Sequence, residues 1–276
     1  MYSLTGKVAV VTGAASGIGR ALAQAFAARG CRIAIADLNE AGLKETAASL
    51  GGAEVLAQKL DVSNRAAVYD FADAVRARFG TTHVVVNNAG VAVSQTVADL
   101  KWDDFEWLMG INFWGVTYGT KAFLPQMTAQ NEGTIVNISS IFGIVAWPNQ
   151  SAYNAAKFAV RGFTECLRQE LHGTDVRAIS VHPGGIKTNI VRNARMYADH
   201  AGRTDTQQIQ ADFERVARTT PEQAAATILR GVERGDPRVL IGPDAKLMDL
   251  VQRLFPVGYP AFTRWLSARE LAKQAR

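Results

Sequence analysis
The sequence predicts an α/β fold in which a parallel sheet carries helices on both faces, and three observations support that class. Strand-like and helix-like segments alternate along the chain without a linker or composition break up to about Gly242. The strand-like segments are continuously apolar instead of alternating, as in strands buried on both faces. A glycine-rich turn follows the first of them and opens a helix, as βα units that meet a ligand at a helix N-terminus do.

Taken in order, residues 8–12 form a short β-branched run, followed by the turn Gly13 to Gly19 and a helical stretch over 20–29. The strand signal returns at 33–36 and a helix follows over 40–50. Further strands are expected at 54–59, 83–87, 134–138, 176–181 and 239–241, with periodic helical segments at 64–79, 102–128, 151–172 and 221–234. Such alternation implies right-handed crossovers and a single domain over residues 1–243. Two segments depart from the rhythm. Residues 189–220 are polar and too long for an ordinary connection, which suggests a substrate loop. The tail, 244–276, carries Leu247, Leu250, Val251 and Leu254 at helical spacing, then Pro256 and the aromatics Tyr259, Phe262 and Trp265 among basic residues.

Composition narrows the function. Of 276 residues 48% are hydrophobic and 20% charged, enough apolar material for a sizeable core. Lys and Arg number 30 against 25 Asp and Glu, a formal charge of +5, but the basic residues are scattered, so no nucleic-acid partner is expected. Two cysteines, Cys31 and Cys166, cannot make a disulfide framework, read as buried small hydrophobes, and suit a reducing, cytoplasmic setting. No His/Cys/Asp cluster suggests a metal, the N-terminus does not read as a signal peptide, and no apolar run is long enough to span a membrane.

The turn Thr12-Gly-Ala-Ala-Ser-Gly-Ile-Gly19 places glycines at 13, 17 and 19, which is not the G-x-G-x-x-G spacing. It can be purely structural, or it can let a pyrophosphate approach the backbone and the helix N-terminus. Asp37, ending the second strand, can hydrogen-bond the ribose hydroxyls of NAD or cap the next helix at Asn39–Glu40. Tyr153 and Lys157 are four apart on one helix, so they share a face. They are two solvated residues or an acid/base pair, in which a nearby cation lowers the phenol from its ordinary value near 10. Ser140 follows the fifth strand, at the sheet edge where ligands bind in such folds.

Across residues 4–245 the sequence resembles the short-chain dehydrogenase/reductase family. The resemblance rests on seven matches in family order: Thr12–Gly19, Asp61-Val62, Asn87-Asn88-Ala89-Gly90, Asn112, Ile138-Ser139-Ser140, Tyr153-x-x-x-Lys157, and Pro183-Gly184 through Thr188. It implies a doubly wound sheet of seven parallel strands, hydride transfer with NAD(P), and a dimer or tetramer. Tyr153 would be the acid/base. Lys157 would lower its pKa and hold the nicotinamide ribose, and Ser140, chosen over Ser139 by the family spacing, would donate to the reacting oxygen. Asn112 would interrupt the fourth helix and hold a water that relays protons to Lys157; without the family it reads as an exposed helix asparagine. For the cofactor, the resemblance implies Gly13, Ser16, Gly17, Ile18 and Gly19 at the pyrophosphate, and Asp37 and Leu38 at the ribose. Asp61 and Val62 would meet the adenine. Asn88, Ala89 and Gly90 would stand beside its ribose, unless they are an ordinary turn. Pro183, Gly184, Ile186 and Thr188 would fix the carboxamide.

NAD is expected over NADP, because Asp37 repels a 2′-phosphate and Ser16 stands where NADP-using relatives often carry a basic residue. Arg20 reads as a solvated helix residue and His182 as a packed one. Trp102, Phe105, Trp107, Phe113 and Trp114 line a pocket or belong to core and interface. The reading is thus an NAD-dependent alcohol dehydrogenase or carbonyl reductase acting on a small alcohol or ketone. Its alternatives are a catalytically silent NAD-binding protein, against which the complete set Asn112, Ser140, Tyr153 and Lys157 argues, and a membrane-associated dehydrogenase of lipid-like alcohols or aldehydes. The tail would cover the substrate mouth, contact a second subunit or meet a membrane.

Overall fold
The computed structural model describes residues 2–197 and 217–265, with 204, 205, 207, 209–211 and 215 of the stretch between them. Seven strands form one sheet: β1 (Val8–Thr12), β2 (Arg32–Asp37), β3 (Val55–Lys59), β4 (Val84–Asn87), β6 (Gly133–Ile138), β7 (Val176–Pro183) and β9 (Arg238–Ile241). Their order is β3-β2-β1-β4-β6-β7-β9, and every pair is parallel. The chain therefore winds outward from β1 in one direction, returns to β4, and winds out in the other. This is the doubly wound arrangement that the resemblance implies, and its cleft opens between β1 and β4.

Two-sided burial follows from the uninterrupted apolar runs. Ala9, Val11, Ile33 and Ile35 meet Leu22 and Phe26 of α1 (Gly17–Ala28) and Ile228, Leu229 and Val232 of α7 (Pro221–Arg234). On the other face, Val8, Val10, Val85 and Ile135 meet Phe71 and Val75 of α3 (Arg65–Phe79), Phe123 and Met127 of α5 (Gly115–Ala129) and Leu167 of α6 (Ser151–Glu170). Helix boundaries follow local chemistry. The Asn64 side chain accepts from Ala67 N to start α3, which Gly80 ends in a left-handed turn, and Thr220 and Gln223 close a reciprocal cap at the start of α7.

A buried polar ladder crosses this apolar frame. Asn87 and Asn137 are register partners on β4 and β6, and Asn87 Nδ2 donates to Asn137 Oδ1 at 2.8 Å and to Thr120 Oγ1 of α5 at 3.2 Å. Asn137 Nδ2 donates in turn to Thr164 Oγ1 of α6 at 3.0 Å.

Three local features depart from the sequence expectations. The single periodic segment 102–128 is α4 (Trp102–Met109) and α5 joined by a π turn over Gly110–Trp114. Residues Val93–Ser94 (β5) and Arg195–Met196 (β8) pair as a small parallel sheet, too short to show any periodicity. Cys166 is exposed, not buried, because it lies on the outer face of α6, while Cys31 is buried as expected. In the tail, α8 (Pro243–Leu254) ends just before Pro256 and buries Ala245, Met248 and Asp249, leaving Leu247, Leu250 and Leu254 exposed. Tyr259 and Phe262 pack against Ile141, Ile144, Val145 and Met248. The rest of the tail, residues 266–276, lies outside the described residues. Among the described residues no helix is long and apolar enough to cross a membrane.

Phe26 is wholly buried between α1 and the sheet. Phe26→Ala is expected to cost about 3–5 kcal/mol of unfolding free energy, read by urea titration, since the remaining helix cannot collapse into the space.

Candidate active site
All C-terminal strand ends open on one edge, and the loops that leave them enclose a cleft of about 1050 Å³. After β1, Gly13 and Gly17 adopt positive φ values of +66° and +53°. A Cβ at Gly13 would stand 2.7 Å from Ala89 Cα, and one at Gly19 would run into the Gly13 carbonyl, so the turn needs glycine for close approach. The Thr12 hydroxyl accepts from Asn88 N at 3.1 Å and Ala89 N at 3.2 Å, tying the loops after β1 and β4 together. Asn88 Nδ2 donates to Thr12 O at 2.9 Å. Ser16 at the start of α1 makes no side-chain cap, and the first turn holds no acidic residue, so the helix N-terminus is left to an incoming anion.

Asp37 Oδ2 accepts from Ala15 N at 2.9 Å and Oδ1 from Asn39 N at 2.9 Å. Asn39, not Asp37, caps α2 (Glu40–Ala48), accepting from Gly42 N at 3.1 Å. Arg20 corrects the reading of a solvated residue. Its guanidinium donates to Thr46 Oγ1 at 2.9 Å and to the Ala15 and Gly42 carbonyls, and pairs with Glu45 at 2.8 Å. It braces the glycine turn from below because α2 comes close to the turn, Gly42 lying against Ala15, an approach that helical periodicity does not reveal.

Leu38, Asp61, Val62 and Asn88–Gly90 line the same cleft, as do Ser16, Ile18, Pro183, Gly184, Ile186 and Thr188. Gly19 and Asn112 stand behind its wall. Asn112 is wholly buried in the π turn, which overturns the exposed-helix reading. Its Nδ2 donates to Val91 O and its Oδ1 accepts from Val91 N, both at 2.8 Å. One N–H and the carbonyl of the side chain are thus committed to the Val91 backbone.

Ser140, Tyr153 and Lys157 meet at the end of the cleft remote from Asp37. Ser139, the other serine, donates to Lys157 O at 2.8 Å and joins the end of β6 to α6. Tyr153 Oη is hydrogen-bonded to Ser140, yet burial of this end of the side chain pushes the phenol up to about 12. Lys157 Nζ lies 5.6 Å from the Tyr153 ring centroid and donates to Ile138 O at 2.9 Å, which draws its charge toward the backbone. Burial lowers the Lys157 ammonium itself to about 8.

Val93, Ile141, Val145, Trp147, Ile190 and Met196 give this end of the cleft apolar walls. The segment after β7 is anchored where β8 pairs with β5. There Arg195 donates to the buried Asp104 at 2.6 Å, and its guanidinium lies 3.7 Å from the Trp107 ring centroid. Phe105, Trp107 and Phe113 pack around Leu108, while Trp102 and Trp114 are exposed, and none of the five lines the cleft. Sequence reasoning missed Trp147, Met196, Asp244 and Met248 as lining residues, since they come from separate loops and elements with no shared spacing. His182 is packed as expected, and desolvation lowers its imidazole to about 4; the Ser140 carbonyl and Glu165 oppose that shift, and Arg238 and Arg161 add to it. Among the described residues no group of three or more His, Cys, Asp or Glu could hold a metal ion.

Residues 7–198 match the family model described as short chain dehydrogenase. The chain is 49% identical over 265 residues to SadH of Mycobacterium tuberculosis, an oxidoreductase by name, with 94% of each chain covered. A short-chain dehydrogenase/reductase from Burkholderia phymatum, solved in complex with NAD, superposes with a TM-score of 0.85 at 31% identity, covering 92% of this chain and 95% of that one. A serine dehydrogenase complexed with NADP+ superposes with a TM-score of 0.73 at 29% identity, covering 82% and 88%.

His182 gives the site a pH signature. Its folded pKa lies below the ordinary 6.5, so between about 4 and 6.5 the unfolded chain binds more protons, and stability falls as the pH drops through that window. Urea unfolding from pH 7 to pH 4 should show a shallower fall for His182→Asn, whose side chain does not titrate. Equal slopes would exclude His182 as a source of the acid sensitivity.

Proposed function
Because the chain belongs to the short-chain dehydrogenase family, we propose that it is an NAD-dependent oxidoreductase interconverting a secondary alcohol and its ketone. The observation that supports this most is the meeting of Ser140, Tyr153 and Lys157 in a cleft that Asp37 also lines. The residues fit the cofactor: the glycine turn leaves backbone room, and the first turn of α1 is uncapped by any side chain. Gly13, Ser16, Gly17 and Ile18 would hold the pyrophosphate, Asp37 the adenosine ribose, and Asp61 and Val62 the adenine. Asn88, Ala89 and Gly90 would wall the ribose, and Pro183, Gly184, Ile186 and Thr188 the carboxamide. Bound there, the nicotinamide supplies a hydride acceptor for alcohol oxidation, or a donor for ketone reduction.

The protein's own groups handle the proton. Ser140 Oγ–H donates to the reacting oxygen as charge builds on it. Tyr153 gives its phenolic proton to that oxygen in reduction, and the phenolate takes the alcohol proton in oxidation. A buried phenol near 12 is well held for donation, whereas service as a base needs added positive charge nearby. Lys157, still protonated near neutrality at a pKa of about 8, supplies part of that charge and the contact to the nicotinamide ribose. Asn112 spends its side chain on Val91, so a relay water would be held by the main chain of the π turn, where helical pairing is disturbed.

Asp37 favours NAD. Its two oxygens already accept backbone N–H groups, which fixes a negative charge where a 2′-phosphate would lie, and the neighbouring cation Arg20 is engaged beneath the turn. The unpaired Cys31 and Cys166 suit a reducing, cytoplasmic setting.

Tyr153→Phe is expected to abolish turnover in an alcohol and ketone panel while NADH still binds by fluorescence; a residual rate above about a tenth would remove Tyr153 from the proton transfer. Asp37→Ala should narrow the ratio of kcat/KM with NAD to that with NADP. A wild-type protein that works better with NADP would overturn the assignment of Asp37.

A further inference from the structure
His182 stands at the end of β7, next to Pro183 but outside the lining of the cleft. Its ring is wholly buried. Both nitrogens are engaged: Nδ1 lies 3.0 Å from the main-chain oxygen of Ser140, and Nε2 lies 3.0 Å from Ser180 Oγ. A carbonyl oxygen only accepts, so Nδ1 carries the ring proton; Nε2 is then the acceptor, and the Ser180 hydroxyl donates to it. The ring is locked in one tautomer and one orientation.

The partner of that N–H is the residue on which the chemistry turns. Ser140 is extended, with φ −166° and ψ 167°, where β6 gives way to the tight turn Ile141–Gly143. Its Oγ accepts from Phe142 N at 3.1 Å. The turn thus holds the hydroxyl oxygen, and His182, reaching across from β7, holds the carbonyl of the same residue. With both ends fixed, the hydroxyl hydrogen is left for Tyr153 and the reacting oxygen. A rotation of the Ser140 peptide would swing Oγ away, and displacements on the order of 1 Å at a reacting centre can cost about a hundredfold in rate.

We propose that His182 is a positioning residue that sets the Ser140 hydroxyl for the reaction through the Ser140 carbonyl. It touches neither substrate nor cofactor, and the proposal rests on the role given to Ser140 above.

Two amide substitutions separate positioning from packing. Asn places its amide nitrogen where Nδ1 stands and can donate to the Ser140 carbonyl, whereas Gln places its amide where Nε2 stands and meets Ser180 instead. Each leaves one of the two buried bonds unmade, so both should lower Tm. His182→Asn should retain kcat within about twofold, and His182→Gln should lose about tenfold or more, with KM for the alcohol and Kd for NADH little changed in either. The measurements are steady-state kinetics with NAD and an alcohol that the wild-type protein oxidises, NADH fluorescence titration, and thermal melts, with Ser140→Ala alongside. Equal kcat in the Asn and Gln variants, or a loss confined to KM, would overturn the proposal while leaving Ser140 in place. A Ser140→Ala protein with wild-type kcat would instead overturn the role of Ser140, and His182 would fall with it.

Discussion
Burial of both faces of the sheet obliges each strand to be followed by a helix that crosses back over it, since strands lying parallel cannot be joined by tight hairpins. Every strand then ends on the same edge, and every loop that leaves this edge faces its neighbours. The winding reverses between β1 and β4, which separates two of those loops enough to admit a ligand. From this constraint follow the place of the glycine turn, the approach of Asn88 to Thr12, and the meeting of β6, α6 and β7 around Ser140. Residues distant in sequence are brought together by the sheet before any one of them contributes chemistry.

The seven strands were legible because most are apolar runs bounded by turn residues, and the observed bounds differ from the expected ones by at most two positions. Residues that line the cleft were legible where they fall in short motifs on the strand ends. What escaped was whatever depends on contacts between segments. Arg20 reads as solvated on its own helix, and only the packing of α1 on α2 shows it bound to Ala15, Gly42, Thr46 and Glu45. Asn112 looks like an indifferent helix residue until the π turn directs it to Val91. Cys166 is a small apolar residue placed on an outward face by the phase of α6, which composition does not fix.

Charge in the site is likewise governed by geometry. Tyr153 and Lys157 share a helix face as their spacing implies, but the ammonium is drawn to the Ile138 carbonyl, and burial then dominates both groups, in opposite directions. Burial sets the resting acidity of both groups, so any further shift of the phenol depends on what charge is brought to the site.

The polar ladder from Asn87 through Asn137 to Thr164, with Thr120 at its side, has a consequence for how this protein can diverge. The Asn137 amide both gives and receives, the Asn87 amide gives twice, and Gly119 leaves no room for a side chain beside the Asn87 amide. Replacing one member by a hydrocarbon strands its neighbours' polar atoms away from water, so the ladder admits exchange only in concert. Lineages descended from this chain should drift freely on the outer helices, while these four inner positions change together or not at all.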